Sequence, residues 1–218
     1  NLFDTRQQKV VVAIQKAFPG LAMHLVDWND AFDRLIVMTE GNGDPQTWWL
    51  VEIKTGNATQ LGVSYPMPSK EVGPVKMVRY KAGDGTDINA VLTLPPGRTA
   101  QNLPVVIFPH GGPTARDYPG FDWWAQAFAS RGYAVLQPNF RGSSGYGLAF
   151  ERAGNGEWGR KMQTDISDGL AYLAHEGIAD PGRACIMGAS YGGYAALAGV
   201  TLQRGLYRCA VAVAGLSN

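Results

Sequence analysis

The sequence predicts a mixed α/β protein, in which a doubly wound, mostly parallel sheet follows an all-β segment that resembles one propeller blade. Two patterns and one motif predict this class. Short apolar runs separated by turn residues fill the N-terminal part, which is typical of antiparallel strands. Further along, apolar strands alternate with helical runs, as in parallel α/β sheets. A Gly-x-Ser-x-Gly turn at residues 188–192 lies between such a strand and such a helix.

The composition excludes several classes of partner. The chain has 218 residues, 45% of them apolar and 17% charged, with a formal net charge of +1. There is no basic stripe, so we expect no nucleic-acid partner. No run approaches the roughly 18 apolar residues of a membrane span, so we expect no membrane partner. No signal sequence or metal-ligand cluster is recognisable, and the cellular compartment stays open. Cys185 and Cys209 lie in apolar runs, so we expect buried free thiols.

The N-terminal part is expected to hold one helix, at residues 6–17, and four short antiparallel strands. These strands are placed at residues 23–28, 34–39, 47–53 and 58–63. Four such strands make one blade-like unit, which cannot bury both of its faces alone. Two prolines in the stretch 65–69 indicate a linker, and we place a domain boundary near residue 68. The predicted domains are therefore 1–68 and 69–218.

The second domain begins with a predicted hairpin, residues 75–80 and 88–94, around an Asp-Gly turn. Alternating strands and helices follow. The strands are placed at 103–108, 133–138, 184–187 and 207–214, and the helices at 121–131, 165–176 and 194–202. The run 103–108 is apolar throughout, which is typical of a strand buried on both faces of a sheet. Ligand sites in such sheets lie beyond the carboxyl ends of the strands. His110 and Ser190 both follow such ends, so we expect them to share one crevice.

Ser190 is the predicted nucleophile. A serine hydroxyl is a weak nucleophile at its free pKa and must be activated by its surroundings. A strand–turn–helix elbow holds the hydroxyl in a tight turn, clear of its own strand and at the start of a helix. Small residues are required at Gly188 and Gly192, because chain packs on chain there. The alternative is a glycine-rich turn in which Ser190 only caps the helix.

Acyl transfer also needs N–H donors aimed at the developing oxyanion. In a strand–turn–helix site, one donor is the residue after the nucleophile, here Tyr191. The other comes from the loop after an earlier strand, where the sequence has His-Gly-Gly-Pro; Gly112 is the first choice and Gly111 the second. We do not assign His110 as general base, because it precedes the serine, whereas this architecture runs nucleophile, acid, histidine. We expect it to shape the loop.

Several segments together resemble the prolyl oligopeptidase-type serine peptidases, and most closely their acylaminoacyl peptidase and dipeptidyl peptidase branch. They are His110–Pro113 with Arg116-Asp117, and residues 131–136, 139–147 and 188–194. The resemblance covers roughly residues 70–218, while residues 21–65 are compatible with the last blade of that family's propeller. It implies an α/β-hydrolase domain, here present in part, capped by a propeller that admits short peptides. It also implies Ser190 as nucleophile, Tyr191 and Gly112 as oxyanion donors, and no metal or other cofactor.

The sequence departs from the family at its C-terminal side. The family's acid and histidine follow the serine, but no His, Asp or Glu occurs after position 190. Asp165 and Asp168 precede the serine, so we do not assign them to a triad. We therefore expect a fragment that is nearly inactive alone and whose partner is the missing C-terminal part of the domain. The sheet would then have an open edge, which favours association, and a homo-oligomer is one form that such association can take. Alternatively, the acid and the histidine exist in the molecule but lie outside this sequence.

Two other functions stay open at this stage. One is a carboxylesterase of the same fold, and the other is a non-catalytic binding module that lacks the triad. The loop containing Arg141 either lines the substrate crevice or supports the fold. The sequence does not determine the substrate's side-chain preference, the choice between exo- and endopeptidase, or the oligomeric state.

Overall fold

The structure is a computed structural model that describes residues 4–216. The chain forms two compact units. The first runs to Pro74 and includes residues 120–122, and the second takes residues 75–119 and the chain from Trp123 onward. Within the described range, no helix has both the length and the apolar character needed to cross a membrane.

The first unit contains helix α1 (Thr5–Ala17) and a four-stranded antiparallel sheet. Its strands are β1 (Leu21–Trp28), β2 (Arg34–Gly41), β3 (Asp44–Glu52) and β4 (Asn57–Val63), hydrogen-bonded in that order. Asp4 caps α1 by accepting hydrogen bonds from the first amides of the helix. Leu35 and Val37 alternate into the core of this unit and are fully buried. The predicted helix and four strands are confirmed, whereas their identity as a propeller blade stays a prediction.

The second unit contains a six-stranded sheet in the order β10-β9-β7-β8-β6-β5. Its strands are β5 (Val75–Lys81), β6 (Asp87–Thr93), β7 (Leu103–Ile107), β8 (Ala134–Asn139), β9 (Ala179–Ala189) and β10 (Cys209–Val213). The four strands β10, β9, β7 and β8 are parallel, and β6 and β5 continue the sheet in antiparallel pairing. The predicted α/β class is therefore confirmed.

Four helices connect these strands: α2 (Trp123–Ala129), α3 (Leu148–Arg152), α4 (Lys161–His175) and α5 (Tyr191–Leu202). Helix α4 packs on the sheet through Ile166, Leu170 and Leu173, which are at most 1% exposed. It begins one turn before the predicted start at residue 165, because Met162 is also completely buried in the same core. Burial of such side chains contributes about 1.5–3 kcal/mol each.

Helix α2 is shorter than the predicted run of residues 121–131. Phe121 belongs to the first unit and not to the helix. Its amide donates to Glu40 Oε2 at 3.0 Å, and its ring stacks on Tyr65 at 4.9 Å between centroids. These interactions involve residues more than 50 positions earlier in the chain, so a local pattern could not predict where α2 starts.

The prediction for the cysteines is wrong, because Cys185 and Cys209 form a disulfide. The two residues lie directly opposite each other on the parallel strands β9 and β10. Cys209 is exposed, because β10 is the edge strand of the sheet. Four of the five residues of β10 are exposed. Apolar runs predicted that both strands exist, although β9 extends well beyond the predicted residues 184–187. They do not contain the information on which strands pair or in what register.

We predict that reduction of this disulfide destabilises the protein by about 3 kcal/mol, the value expected for closing a loop of this size. The bond joins residues 24 positions apart. Urea denaturation with and without a reducing agent measures the loss. The double variant Cys185→Ser/Cys209→Ser should be less stable than the oxidised wild type, and its stability should not change when the reducing agent is added. A wild-type protein whose unfolding midpoint is the same in both conditions would contradict the prediction.

Candidate functional site

The predicted site residues meet at one edge of the six-stranded sheet. Strands β7 and β9 are parallel neighbours, with Ile107 paired to Ile186. The loop of residues 109–112 follows β7, and Ser190 follows β9. Because parallel strands place their carboxyl ends at the same edge, both segments lie where ligands bind in this class of sheet.

Ser190 occupies a strained turn between β9 and α5. Its backbone has φ 55° and ψ −120°, a conformation that residues other than glycine rarely adopt. Its amide donates a hydrogen bond of 2.9 Å to the carbonyl of Val213 on β10, so the edge strand helps to hold the turn. The side chain is exposed and does not cap α5. The interpretation of Ser190 as a simple helix cap is therefore not supported.

Close backbone packing explains the two glycines of the motif. A Cβ on Gly188 would collide with the carbonyl group of Gly192, and a Cβ on Gly192 would collide with the carbonyl oxygen of Pro109. The requirement for small residues at both positions is confirmed. The second contact also ties the turn directly to the loop that follows β7.

The loop at residues 109–112 lies directly beside the serine. A Cβ built on Gly111 would be 3.5 Å from Ser190 Cβ and 3.2 Å from the carbonyl oxygen of Ala189. Gly112 has φ 119°, and its amide has no hydrogen-bond partner within residues 4–216. Tyr191 is the first residue of α5, where amides have no partner inside the helix. The structure thus places Gly111, the residue before Gly112, beside Ser190, and Tyr191 directly follows the serine at the start of α5.

His110 is used inside the protein and is not directed at the serine. Its Nδ1 donates to the carbonyl oxygen of Gly111 at 2.7 Å, and its Nε2 accepts from the hydroxyl of Ser143 at 2.8 Å. Because a carbonyl oxygen can only accept a hydrogen bond, the neutral imidazole carries its proton on Nδ1. The ring stacks on Phe140 at 4.5 Å, and burial lowers the pKa of His110. The predicted loop-shaping role agrees with this geometry.

Arg141 anchors the chain segment that carries Ser143. Its guanidinium bonds both carboxylate oxygens of Asp165 at 2.7 Å and those of Asp84 at 2.9 and 3.1 Å. The Arg141 side chain is only 6% exposed and that of Asp165 is completely buried. These bonds lower the pKa of Asp84 strongly, whereas burial raises the pKa of Asp165 against the opposing effect of the arginine. Of the two roles left open, support of the fold therefore fits Arg141.

An aromatic cluster supports the residue after the serine. Tyr191 is fully buried, and burial raises the pKa of its phenol. Its ring contacts Trp158 at 4.7 Å and Phe140 at 5.3 Å between centroids. Trp158 was not among the predicted site residues, and Ser143 lies in the segment 139–147 but was assigned no role of its own. Each makes its contact with a residue 33 positions away in the sequence, which local spacing does not indicate.

No general base for Ser190 is evident among the described residues. His24 lies in the first unit, where its side chain forms a hydrogen bond of 2.9 Å with Glu40. His175 is exposed on α4. The carboxylate of Asp168 accepts a hydrogen bond from the amide of Gly83, in the turn between β5 and β6. Within residues 4–216, no group of three potential metal ligands comes together either.

The chain is similar to known proteins in sequence and in fold. Residues 119–218 match the sequence model of the prolyl oligopeptidase family. Dipeptidyl aminopeptidase BIII of Pseudoxanthomonas mexicana is 38% identical over 182 residues, which is 80% of this chain and 26% of that protein. Dipeptidyl peptidase family member 6 of Caenorhabditis elegans is 39% identical over 160 residues, 64% of this chain and 22% of that protein. The chain thus spans about a quarter of the length of these relatives.

A solved structure of a puromycin-hydrolyzing peptidase from Mycobacterium tuberculosis has a similar fold. It superposes with a TM-score of 0.73 at 28% sequence identity. The match covers 85% of this chain and 30% of the peptidase.

The buried state of His110 predicts a pH dependence of stability. Its pKa is lowered in the folded protein, so the unfolded chain binds the proton more readily. Its contribution is complete above the unfolded pKa of about 6.5 and is lost as the pH falls through the lower folded value. We therefore expect the free energy of unfolding to fall less between pH 7.5 and pH 5 in His110→Gln than in wild type. The exposed matched control, His175→Gln, should keep the wild-type slope; equal slopes in all three proteins would contradict the prediction.

Proposed function

We propose that the protein carrying this chain is a serine peptidase that hydrolyses short peptides, since residues 119–218 match the sequence model of the prolyl oligopeptidase family. The observation that carries the proposal is Ser190, exposed on a strained turn with Gly111 packed beside it. The two dipeptidyl peptidase relatives support an enzyme of the aminopeptidase, acylaminoacyl peptidase or dipeptidyl peptidase type.

In this proposal, the hydroxyl of Ser190 attacks the carbonyl carbon of the scissile peptide bond. The carbonyl oxygen becomes an oxyanion, which accepts hydrogen bonds from the amides of Tyr191 and Gly112. Each such donor typically contributes a factor of about 10²–10³ to the rate. Collapse of the intermediate releases the amine and leaves an acyl-enzyme, which water then hydrolyses. His110 stabilises the loop that presents Gly112, since both of its ring nitrogens are already hydrogen-bonded.

The proton acceptor for Ser190 is proposed to lie outside residues 1–218, together with the acid that orients it. No histidine or carboxylate follows Ser190 in this sequence. On this proposal, residues 1–68 form the last blade of a propeller and residues 69–218 the first part of an α/β-hydrolase domain. The order β1-β2-β3-β4 of the antiparallel sheet and the parallel pairing of β7 with β9 support the two assignments.

The first test is chemical labelling of the serine in the intact protein. Ser190→Ala should abolish both reaction with a fluorophosphonate probe and hydrolysis of peptide amides. Ser130→Ala removes an exposed hydroxyl elsewhere in the second unit and should leave both unchanged. Hydrolysis of p-nitrophenyl esters without any cleavage of amides would favour a carboxylesterase. Absence of labelling at Ser190 in the wild-type protein would favour a binding module.

The second test uses a polypeptide limited to residues 1–218. It retains the proposed nucleophile and oxyanion donors but contains no general base at the site, so we expect a rate several orders of magnitude below that of the intact protein. Stopped-flow measurement of the first turnover is the readout. A burst of acyl-enzyme comparable to that of an intact relative would contradict the proposal.

A further inference from the structure

A cavity of about 180 Å³ opens in the second unit beside the proposed oxyanion site. Pro113 and Thr114, which follow Gly112 directly, form one of its walls. Trp158 lines it as well, and the indole ring also contacts the ring of Tyr191. The cavity therefore adjoins the residue that follows Gly112 and a ring that packs on Tyr191.

The cavity has the chemistry of a cation site. Glu151 is the one charged residue that lines it, and within residues 4–216 its carboxylate makes no hydrogen bond or ion pair. Asn155 adds an amide oxygen, and Trp158 adds an indole, which attracts cations through its ring face. A single unpaired carboxylate beside an indole favours an organic cation and disfavours an anion.

The cavity is also large and firmly built. Its volume is several times that needed for one water molecule, so a side chain with several heavy atoms can enter. Two of its lining glycines pack backbone on backbone, because a Cβ on Gly154 would lie 2.6 Å from Gly142 Cα. Next to Gly142, the chain is held by the buried ion pair of Arg141 with Asp165. A site held in this way loses little conformational entropy when a ligand binds.

We propose that this cavity is a specificity subsite for a positively charged group of the peptide substrate, with Glu151 as the counter-ion. The group is an ammonium or guanidinium, supplied either by a basic side chain or by the free α-amine of the peptide. This inference rests on the proposed peptidase function and adds to it the class of substrate.

The test uses the intact protein and a set of alanine tetrapeptides. One position at a time carries lysine or its uncharged isostere norleucine, and N-acetylated versions separate the side chain from the α-amine. If a basic side chain is the cation, kcat/KM of wild type should be about tenfold higher for lysine than for norleucine at one position. If the α-amine is the cation, kcat/KM should instead fall about tenfold on acetylation. In either case, Glu151→Gln should reduce the tenfold difference to less than about twofold and leave the uncharged peptides unaffected. Glu176→Gln, which removes a partly exposed carboxylate at the end of α4, should behave as wild type.

The outcomes separate the subsite from the peptidase function. Peptide hydrolysis with a cation preference that Glu151→Gln leaves unchanged, or with no preference at all, overturns the subsite and leaves the peptidase proposal standing. An equal loss for charged and uncharged peptides also overturns it, because that pattern indicates a structural role for Glu151. If no peptide is cleaved and Ser190 is not labelled, the peptidase proposal fails. Calorimetry with Ser190→Ala then tests the subsite alone, and equal affinities for the lysine and norleucine peptides would overturn it.

Discussion

Direct packing of backbone on backbone at the turn after β9 is the constraint on which the candidate site depends. Gly188 lies against Gly192, and Gly192 lies against the carbonyl of Pro109, with no room for a Cβ at either position. This packing fixes three features at once. Ser190 is held in a strained conformation, its side chain is left exposed, and the loop after β7 is brought alongside it. Strain of about 1–3 kcal/mol at such a turn persists only because the surrounding structure over-determines it.

A chain of polar contacts holds the loop from its other side. The loop's His110 accepts from Ser143, which lies two residues after Arg141, and Arg141 is fixed by Asp165 and Asp84. A buried ion pair adds little net stability, but loss of one partner typically costs about 3–5 kcal/mol, because the other charge is then left buried and unpaired. The ion pair matters here for geometry, because it holds the segment that carries Ser143, the hydrogen-bond donor to His110. The loop of residues 109–112 is thus held by the turn on one side and by these contacts on the other.

The sequence predicts the parts of the site that are local in the chain. Ser190 and Tyr191 are adjacent, and Gly112 belongs to a four-residue motif after a clearly apolar strand, so local patterns alone single them out as candidates. The contacts between segments distant in sequence could not be predicted. Apolar periodicity identified β9 and β10 but not their register, which is why the disulfide between Cys185 and Cys209 was mistaken for two free thiols. Trp158 was missed for a similar reason, because an aromatic residue in a polar stretch gives no sign of what it contacts.

We propose that Ser190 faces two backbone amides across one crevice, and a crystal structure of the intact protein with a peptidyl phosphonate is the sharpest test. We expect a covalent bond from phosphorus to Ser190 Oγ, with one phosphonyl oxygen about 2.7–3.1 Å from the amide nitrogens of Tyr191 and Gly112. A phosphonate bonded to another residue, or an oxygen directed away from both amides, would contradict it.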